Sequence, residues 1–176
     1  MAALFALPLI ASYLAFVVWR PEARINYGDL LEPKPLAEMP LRHADGRTFR
    51  FAELRGKWVM VAIDAGACAP SCEAKLFMMR QQRLMQGREM DRVERVFLVD
   101  DDTPLPTMLL REFDGTRVLR ARGSPLLNAF PAQNALRDHI YLIDPRGNLM
   151  MRFPGAPDPS RMQKDIDRLF KAQGAA

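Results

Sequence analysis

The chain has 176 residues, a length typical of one domain, and 49% of them are apolar, so an extensively disordered chain is excluded. Its net charge of +4 comes from a basic excess in which twenty arginines are scattered rather than clustered. This pattern argues against nucleic-acid binding and fits solubility or weak attraction to a membrane surface. Two cysteines exclude a disulfide-rich scaffold and a zinc site built from four thiolates, and two histidines leave little room for a His-rich metal site.

The first 19 residues contain no charged side chain. As a helix, such a segment would span about 28 Å, close to the hydrocarbon thickness of a bilayer. No basic residue precedes Arg20 and no small-residue cleavage site follows, so an uncleaved anchor is favoured over a signal peptide. We predict a transmembrane anchor over residues 1–20 and a stiff tether over residues 21–40, which contain four prolines.

The rest of the sequence alternates between strand and helix patterns. An Asp-Gly turn within residues 43–47 predicts a hairpin. In chain order there follow a strand over 57–64, a helix over 71–86, a strand over 95–100, a helix over 104–113, a strand over 117–121, a short helix over 125–130, paired strands over 139–144 and 148–153, and a last helix capped by Asp158. This order predicts an α/β domain over residues 41–172, with a mixed sheet flanked by helices and a short tail over 173–176.

Both long helices are predicted to bury an apolar face. In the first, this face consists of Ala74, Phe77, Met78, Leu84 and Met85. In the last, it consists of Met162, Ile166, Leu169 and Phe170.

The two cysteines form a Cys68-Ala69-Pro70-Ser71-Cys72 motif directly after the first predicted core strand. Residues four apart on a helix lie about 6 Å from each other on one face, within range of a disulfide or of one metal ion. A helix amino terminus favours the thiolate, which both thiol–disulfide exchange and metal binding require. A cysteine pair at a strand-to-helix turn predicts a thioredoxin-like fold and a functional site. A structural disulfide or two buried thiols are the alternatives.

A third ligand would favour a metal, because two thiolates and one imidazole suit copper. His139 begins a strand that should start beside the cysteine loop, whereas His43 lies on the first hairpin. His139 is therefore the candidate ligand, with an ordinary strand-end histidine as the alternative. The cluster at residues 100–102, three aspartates, should lie on the same sheet edge, either attracting a cation or forming a solvated loop and helix cap.

Taken together, these features resemble the Sco/SenC family of membrane-tethered thioredoxin-fold proteins. The resemblance is carried by the anchor, the tether, the hairpin, the cysteine motif after KWVMVAID, and Asp138-His139 before YLIDPRGNL. The stretches YGDLLEP and HIYLIDPRGNLMMRFP are similar to small Sco-like transmembrane proteins encoded in bacterial oxidase gene clusters. The chain departs from the Sco pattern in having Glu73 in place of a proline, no aromatic residue at 64–67, and His139 only two residues before Tyr141.

The resemblance implies a periplasmic domain that delivers copper to an oxidase copper site or reduces its thiols. It implies Cys68 and Cys72 as catalytic residues, and Cys68, Cys72 and His139 as copper ligands. The partner would be a cytochrome c oxidase subunit or assembly factor, and the location the bacterial inner membrane, crossed once. Arg20 and Arg24 alone would keep the domain in the cytoplasm, but the resemblance is preferred. A metal-free thiol–disulfide oxidoreductase and a non-catalytic assembly scaffold with a structural disulfide are the alternatives.

Overall fold

The computed structural model describes residues 26–36 and 38–174. The predicted anchor, residues 1–20, lies outside the described residues. In the part of the chain that is described, no helix combines the length and the apolar character needed to cross a membrane.

A mixed sheet with the spatial order β1-β8-β7-β4-β5-β6-β2-β3 forms the centre of the described fold. Its strands are β1 (Asp29–Pro35), β2 (Leu41–His43), β3 (Thr48–Phe49), β4 (Trp58–Asp64), β5 (Val93–Val99), β6 (Thr116–Arg120), β7 (His139–Ile143) and β8 (Asn148–Pro154). The α-helices are α1 (Pro70–Met85), α2 (Thr107–Glu112) and α3 (Pro159–Gly174). Short 3-10 helices cover Phe51–Leu54, Gly87–Arg92, Pro125–Ala129 and Leu136–Asp138.

The pairing of the central strands brings several chain segments to one edge of the sheet. Strand β4 is parallel to β5, with Asp64 opposite Val99, and antiparallel to β7, with Ala62 opposite Ile140. The carboxyl ends of β4 and β5 therefore meet the amino end of β7. The mixed sheet predicted from the sequence is confirmed, and the cysteine loop leaves β4 at this edge.

Both faces of the sheet are covered, which explains why the central strands are continuous apolar runs. Alternating side chains of β4 divide between two clusters: Met60 and Ala62 join the side chains of α1 and α3, whereas Val61 and Ile63 pack on the opposite side. Both cysteines belong to the α1–α3 side.

The predicted tether is wrong for part of its length. Residues 29–35 form strand β1, which pairs antiparallel with β8 and places Leu30 opposite Met151. Pro33 and Pro35 lack a backbone N–H, but a strand at the edge of a sheet tolerates this loss. At the other end, α3 continues to Gly174, so residues 173–174 are helical rather than part of a tail.

The predicted buried face of α1 is also wrong, whereas that of α3 is confirmed. Phe77, Leu84 and Met85 are about half exposed, at 48–49%. The buried side chains of α1 are Cys72, Lys75, Leu76, Met79 and Gln82. In α3, Met162, Ile166 and Phe170 are buried and Leu169 packs against them. The face of α1 was missed because two of its buried residues are polar.

Candidate redox site

The cysteines lie in a tight loop between β4 and α1. The amide of Cys68 donates to the carbonyl of Ala65 at 3.1 Å, and the amide of Cys72 donates to the carbonyl of Ala69 at 2.8 Å, in the first turn of the helix. Pro70 occupies the start of α1, where a missing N–H costs nothing. The sequence therefore ends the strand and begins the helix within the motif itself.

Cys68 and Cys72 form a disulfide, with their Cα atoms 5.1 Å apart. Cys68 has φ +44°, a left-handed conformation that is uncommon for a residue with a side chain. Such a backbone persists only where its surroundings hold it in place, and it often marks a functional site. The predicted adjacency of the two sulfurs at the strand-to-helix turn is confirmed.

The two sulfur-bearing residues differ in their access to solvent. Cys68 retains 4% of its surface and Cys72 retains none. A partner molecule can therefore approach Cys68 only, and only after a small local movement. Nucleophilic attack at Cys68 would make Cys72 the leaving group, buried in the first turn of α1.

A buried lysine ties the elements around this loop together. Nζ of Lys75 lies 2.6 Å from Oδ2 of Asp64 and donates hydrogen bonds to the carbonyls of Ile63 at 3.0 Å and Arg137 at 2.5 Å. Three partners match the three N–H donors of an ammonium group. The lysine thus joins α1, the end of β4 and the segment that enters β7.

The aspartates after β5 contribute to the same edge. Oδ1 of Asp101 accepts hydrogen bonds from the amide of Gly66 at 2.8 Å and from the amide of Thr103 at 3.1 Å. The hydrogen bond from Gly66 is the main cause that lowers the pKa of Asp101. Asp100 accepts a two-pronged pair of bonds from Arg137, at 2.7 and 2.9 Å, which raises the pKa of that guanidinium. The predicted placement of this cluster beside the cysteine loop is confirmed.

Gly66 is required by the close approach of the two loops. A Cβ atom at this position would lie 2.0 Å from the carbonyl oxygen of Thr103. Any side chain at residue 66 would therefore force the backbone of the cysteine loop away from the β5–α2 loop.

His139 begins β7, as predicted, but it is not brought together with the sulfurs. Its ring lies 5.8 Å from that of Tyr141, and Tyr141 belongs to the cluster on the sheet face opposite the cysteines. Ile140, the next residue, packs on the cysteine side. His139 is 8% exposed, and both ring nitrogens lack a hydrogen-bond partner.

No metal site is assembled among the described residues. No group of three or more His, Cys, Asp or Glu side chains in residues 26–36 and 38–174 is placed to hold an ion. His43 lies on the hairpin at the other end of the sheet, with its ring against Phe49 at 5.5 Å. The assignment of His139 as a copper ligand stays a prediction.

A family model described as the transmembrane-like, thioredoxin-like, C-terminal domain matches residues 58–173, from β4 into α3. The chain belongs to this family. The matched region contains the cysteine motif, the Lys75 network and His139. No curated protein sequence matches the chain significantly.

Solved structures show which proteins share the fold of this transmembrane-like, thioredoxin-like family member. Apo Sco1 from Thermus thermophilus has a TM-score of 0.62 at 19% identity, over 82% of this chain and 96% of that one. ScoI from Bradyrhizobium japonicum, determined with copper bound, has a TM-score of 0.56 at 20% identity, over 78% and 99%. BsSco, a Sco-family cytochrome c oxidase assembly protein in which a disulfide switch was identified, has a TM-score of 0.56 at 15% identity, over 80% and 95%. The predicted thioredoxin-like fold is confirmed.

Sequence reasoning missed Lys75, Asp64 and Arg137 as parts of the site. One signal was present, because Cys72, Leu76 and Met79 follow a helical spacing of four and three residues that encloses Lys75. A lysine on that face must be buried, and a buried lysine needs a carboxylate partner. Carboxylates at the ends of the core strands were the candidate partners, and Asp64 lies at the end of β4.

Proposed function

We propose that this protein is a membrane-tethered thiol–disulfide chaperone for cytochrome c oxidase assembly, acting through Cys68 and Cys72. The observation that carries the proposal is the disulfide at the β4–α1 turn, in which Cys68 keeps a small exposed area and Cys72 keeps none. The left-handed backbone of Cys68 and the Lys75 network support it, because both hold the loop in one arrangement. The oxidase as target is supported by the shared fold with BsSco.

The exchange has two steps. A thiolate of the partner attacks Sγ of Cys68, the S–S bond breaks, and Cys72 leaves with the electron pair and takes up a proton. A second partner thiolate then attacks the mixed disulfide and releases Cys68, so the partner is oxidised by two electrons and the chaperone is reduced. Run in reverse, the same steps reduce a disulfide of the partner.

Single-cysteine variants of the full chain test the order of attack. With Cys72→Ser, the remaining Cys68 should form a mixed disulfide with a small aromatic disulfide rapidly. With Cys68→Ser, the buried Cys72 should react much more slowly. Equal rates, or a reduction potential well below that of the glutathione pool, would instead favour the scaffold with a structural disulfide.

The oxidase role is tested in cells. The double variant Cys68→Ser, Cys72→Ser should lower oxidase activity and the copper content of the oxidase. Ser71→Ala, a change at an exposed residue inside the same motif, is the matched control and should leave both unchanged. Normal activity in the double variant would contradict the role.

Copper delivery is a second candidate function. Reduction of the disulfide would free two adjacent thiolates, which are ligands that Cu(I) prefers, and the fold is shared with a copper-bound ScoI. The two unpartnered nitrogens of His139 favour it as a further ligand, although it lies on the other sheet face. Copper would be cargo here, bound only after reduction.

Titration of the reduced full chain with Cu(I) tests this candidate. One equivalent should bind tightly, and the double cysteine variant should lose it. His139→Ala weakens binding only if the amino end of β7 rearranges to bring the imidazole to the sulfurs, and His43→Ala is the control. Absence of cysteine-dependent binding would leave thiol–disulfide exchange as the sole activity.

We further propose that residues 1–20 cross the bacterial inner membrane once and that the domain is periplasmic. The uncharged first 19 residues and the transmembrane-like family support the anchor, and the resemblance to the Sco/SenC family supports the periplasmic side. Protease added to spheroplasts should degrade the domain, while a cytoplasmic marker protein stays intact. Protection of the domain from the protease would instead indicate a cytoplasmic domain, as the positive-inside rule predicts from Arg20 and Arg24.

A further inference from the structure

Helix α3 carries a row of basic side chains on its exposed side. We call Arg161, Lys164, Arg168 and Lys171 the α3 basic face. Their spacing of three, four and three residues places them within one narrow arc of the helix surface. All four are exposed, while Met162, Ile166 and Phe170 face the core.

The carboxylates of α3 neutralise this face only in part. Asp165 is buried, and its Oδ2 accepts hydrogen bonds from the amides of Tyr27 and Gly28 at 2.7 and 2.9 Å. Its Oδ1 lies 3.4 Å from Nη1 of Arg168. Asp167 is half-buried and accepts a hydrogen bond from Gln163 at 2.7 Å. The exposed arc therefore presents a net positive charge.

The first residues that the structure describes pack against the same helix. Besides the two amide bonds to Asp165, the hydroxyl of Tyr27 accepts a hydrogen bond from the amide of Asp158 at 2.9 Å. The guanidinium of Arg161 lies 4.4 Å from the centre of the Tyr27 ring. Residues 27–28 are thus held against the first two turns of α3.

This attachment limits how far the basic face can be from a bilayer. Seven residues, 20–26, separate the uncharged segment from Tyr27. Even fully extended they span at most about 25 Å. If residues 1–20 are in the membrane, the first two turns of α3 lie within about 25 Å of the end of the anchor, close enough for the face to reach the lipid headgroups.

We propose that the α3 basic face binds anionic phospholipid headgroups and holds the thioredoxin-like domain against the bilayer. This inference rests on the proposed membrane anchor. Positive residues next to a membrane are attracted to its anionic lipids over roughly one Debye length. Gln82 of α1 donates a hydrogen bond to the carbonyl of Pro159, and Gln86, directly after α1, donates one to Gln163, so α1 and its disulfide are fixed relative to this face. The disulfide would then serve partners whose cysteines lie close to the membrane.

Amine acetylation of the full chain in nanodiscs tests the inference. The rates at Lys164 and Lys171 are measured in phosphatidylcholine alone and in phosphatidylcholine mixed with phosphatidylglycerol. Lys34, whose side chain is 74% exposed on β1, is the reference in the same molecule. Phosphatidylglycerol should slow acetylation of the two α3 lysines at least about fivefold, and high salt should reverse the effect, with Lys34 unchanged.

A matched pair of variants tests whether the α3 basic face causes the protection of the two lysines. Arg161→Gln should reduce the protection of Lys164 and Lys171, whereas Arg88→Gln, which removes the same charge at an exposed residue outside α3, should not. Equal rates in both lipid mixtures, for a chain that stays in the nanodisc, would overturn the basic-face proposal and leave the anchor standing. Protection by soluble polyglutamate but not by phosphatidylglycerol would assign the face to an acidic protein and overturn it as well.

Failure of the anchor gives a different result. In that case the chain separates from nanodiscs made of phosphatidylcholine alone. The basic face is then judged by cosedimentation of the same full chain with phosphatidylglycerol vesicles at low salt. Cosedimentation that Arg161→Gln weakens supports the inference, and its absence refutes it.

Discussion

Lys75 of α1 and Asp64 at the end of β4 form an ion pair, with Nζ 2.6 Å from Oδ2, in which both side chains are almost completely buried. Oδ1 of Asp64 accepts a hydrogen bond from the amide of Ala65 at 2.8 Å, the first residue of the cysteine loop. Through Asp64, the ammonium group of Lys75 is thus connected to the backbone that leads to Cys68. Its main effect is to fix where the loop leaves the sheet.

Removal of one partner of this pair should be costly. Lys75→Met leaves the buried carboxylate of Asp64 with only the more distant guanidinium of Arg137, at 4.0 Å, as a cation. The loss should cost about 3 kcal/mol of unfolding free energy. Lys57→Met is the control, because its pair with Glu94 has a 44% exposed lysine side chain and should contribute no more than about 1 kcal/mol. Urea unfolding of the oxidised chain measures both changes.

A double variant separates the pair from the packing around it. Lys75→Met combined with Asp64→Asn should be less destabilised than the sum of the single changes, because no unpaired charge remains. Additive losses would mean that the two residues stabilise the loop independently, contrary to the geometry.

The hydrogen bonds of Asp101 predict a dependence of stability on pH. Its pKa is lowered in the folded chain, so its contribution is complete above the unfolded value of about 3.9 and is lost as the pH falls through the folded pKa. Asp101→Asn should therefore lower the unfolding midpoint at pH 7, with a difference that shrinks in acid. Asp102→Asn, at the neighbouring surface carboxylate that pairs with Arg122, should show the smaller change. A constant difference across this range would contradict the assignment.

The core strands could be predicted because they are continuous apolar runs, and β4 and β5 begin within two residues of the expected positions. The buried face of α1 could not, since Lys75 and Gln82 are buried through partners that only the tertiary structure supplies. Strand β1 was missed for a related reason, because its prolines and charges are compatible with a strand only at the edge of a sheet.

The candidate site, too, could be predicted only in part from the sequence. The adjacency of Cys68 and Cys72 follows from their spacing, and the disulfide agrees with it. The face on which His139 lies could not be read from β7, because both faces of this strand are buried and alternation gives no direction. Only the pairing of β7 with β4 settles that Ile140, and not His139, faces the cysteines.

Tyr141 should ionise at unusually high pH. Burial raises its pKa to about 12, against an ordinary value of about 10. Because the folded chain keeps this proton longer than the unfolded chain, its stability falls between about pH 10 and 12. Tyr141→Phe should remove the highest step from an ultraviolet titration and flatten this decline. Tyr27→Phe, the control, should leave this step in place.

Gly66 provides the most direct test of the contact between the two loops. A Cβ atom at residue 66 would meet the carbonyl oxygen of Thr103 at 2.0 Å, so Gly66→Ala should displace the cysteine loop and cost roughly 1–3 kcal/mol of unfolding free energy. The obstacle is a backbone atom, which no change of side chain can remove. Gly66→Ala combined with Thr103→Ala should therefore be no more stable than Gly66→Ala alone. Recovery of stability in the double variant would show that the Thr103 side chain, rather than its carbonyl, limits the space.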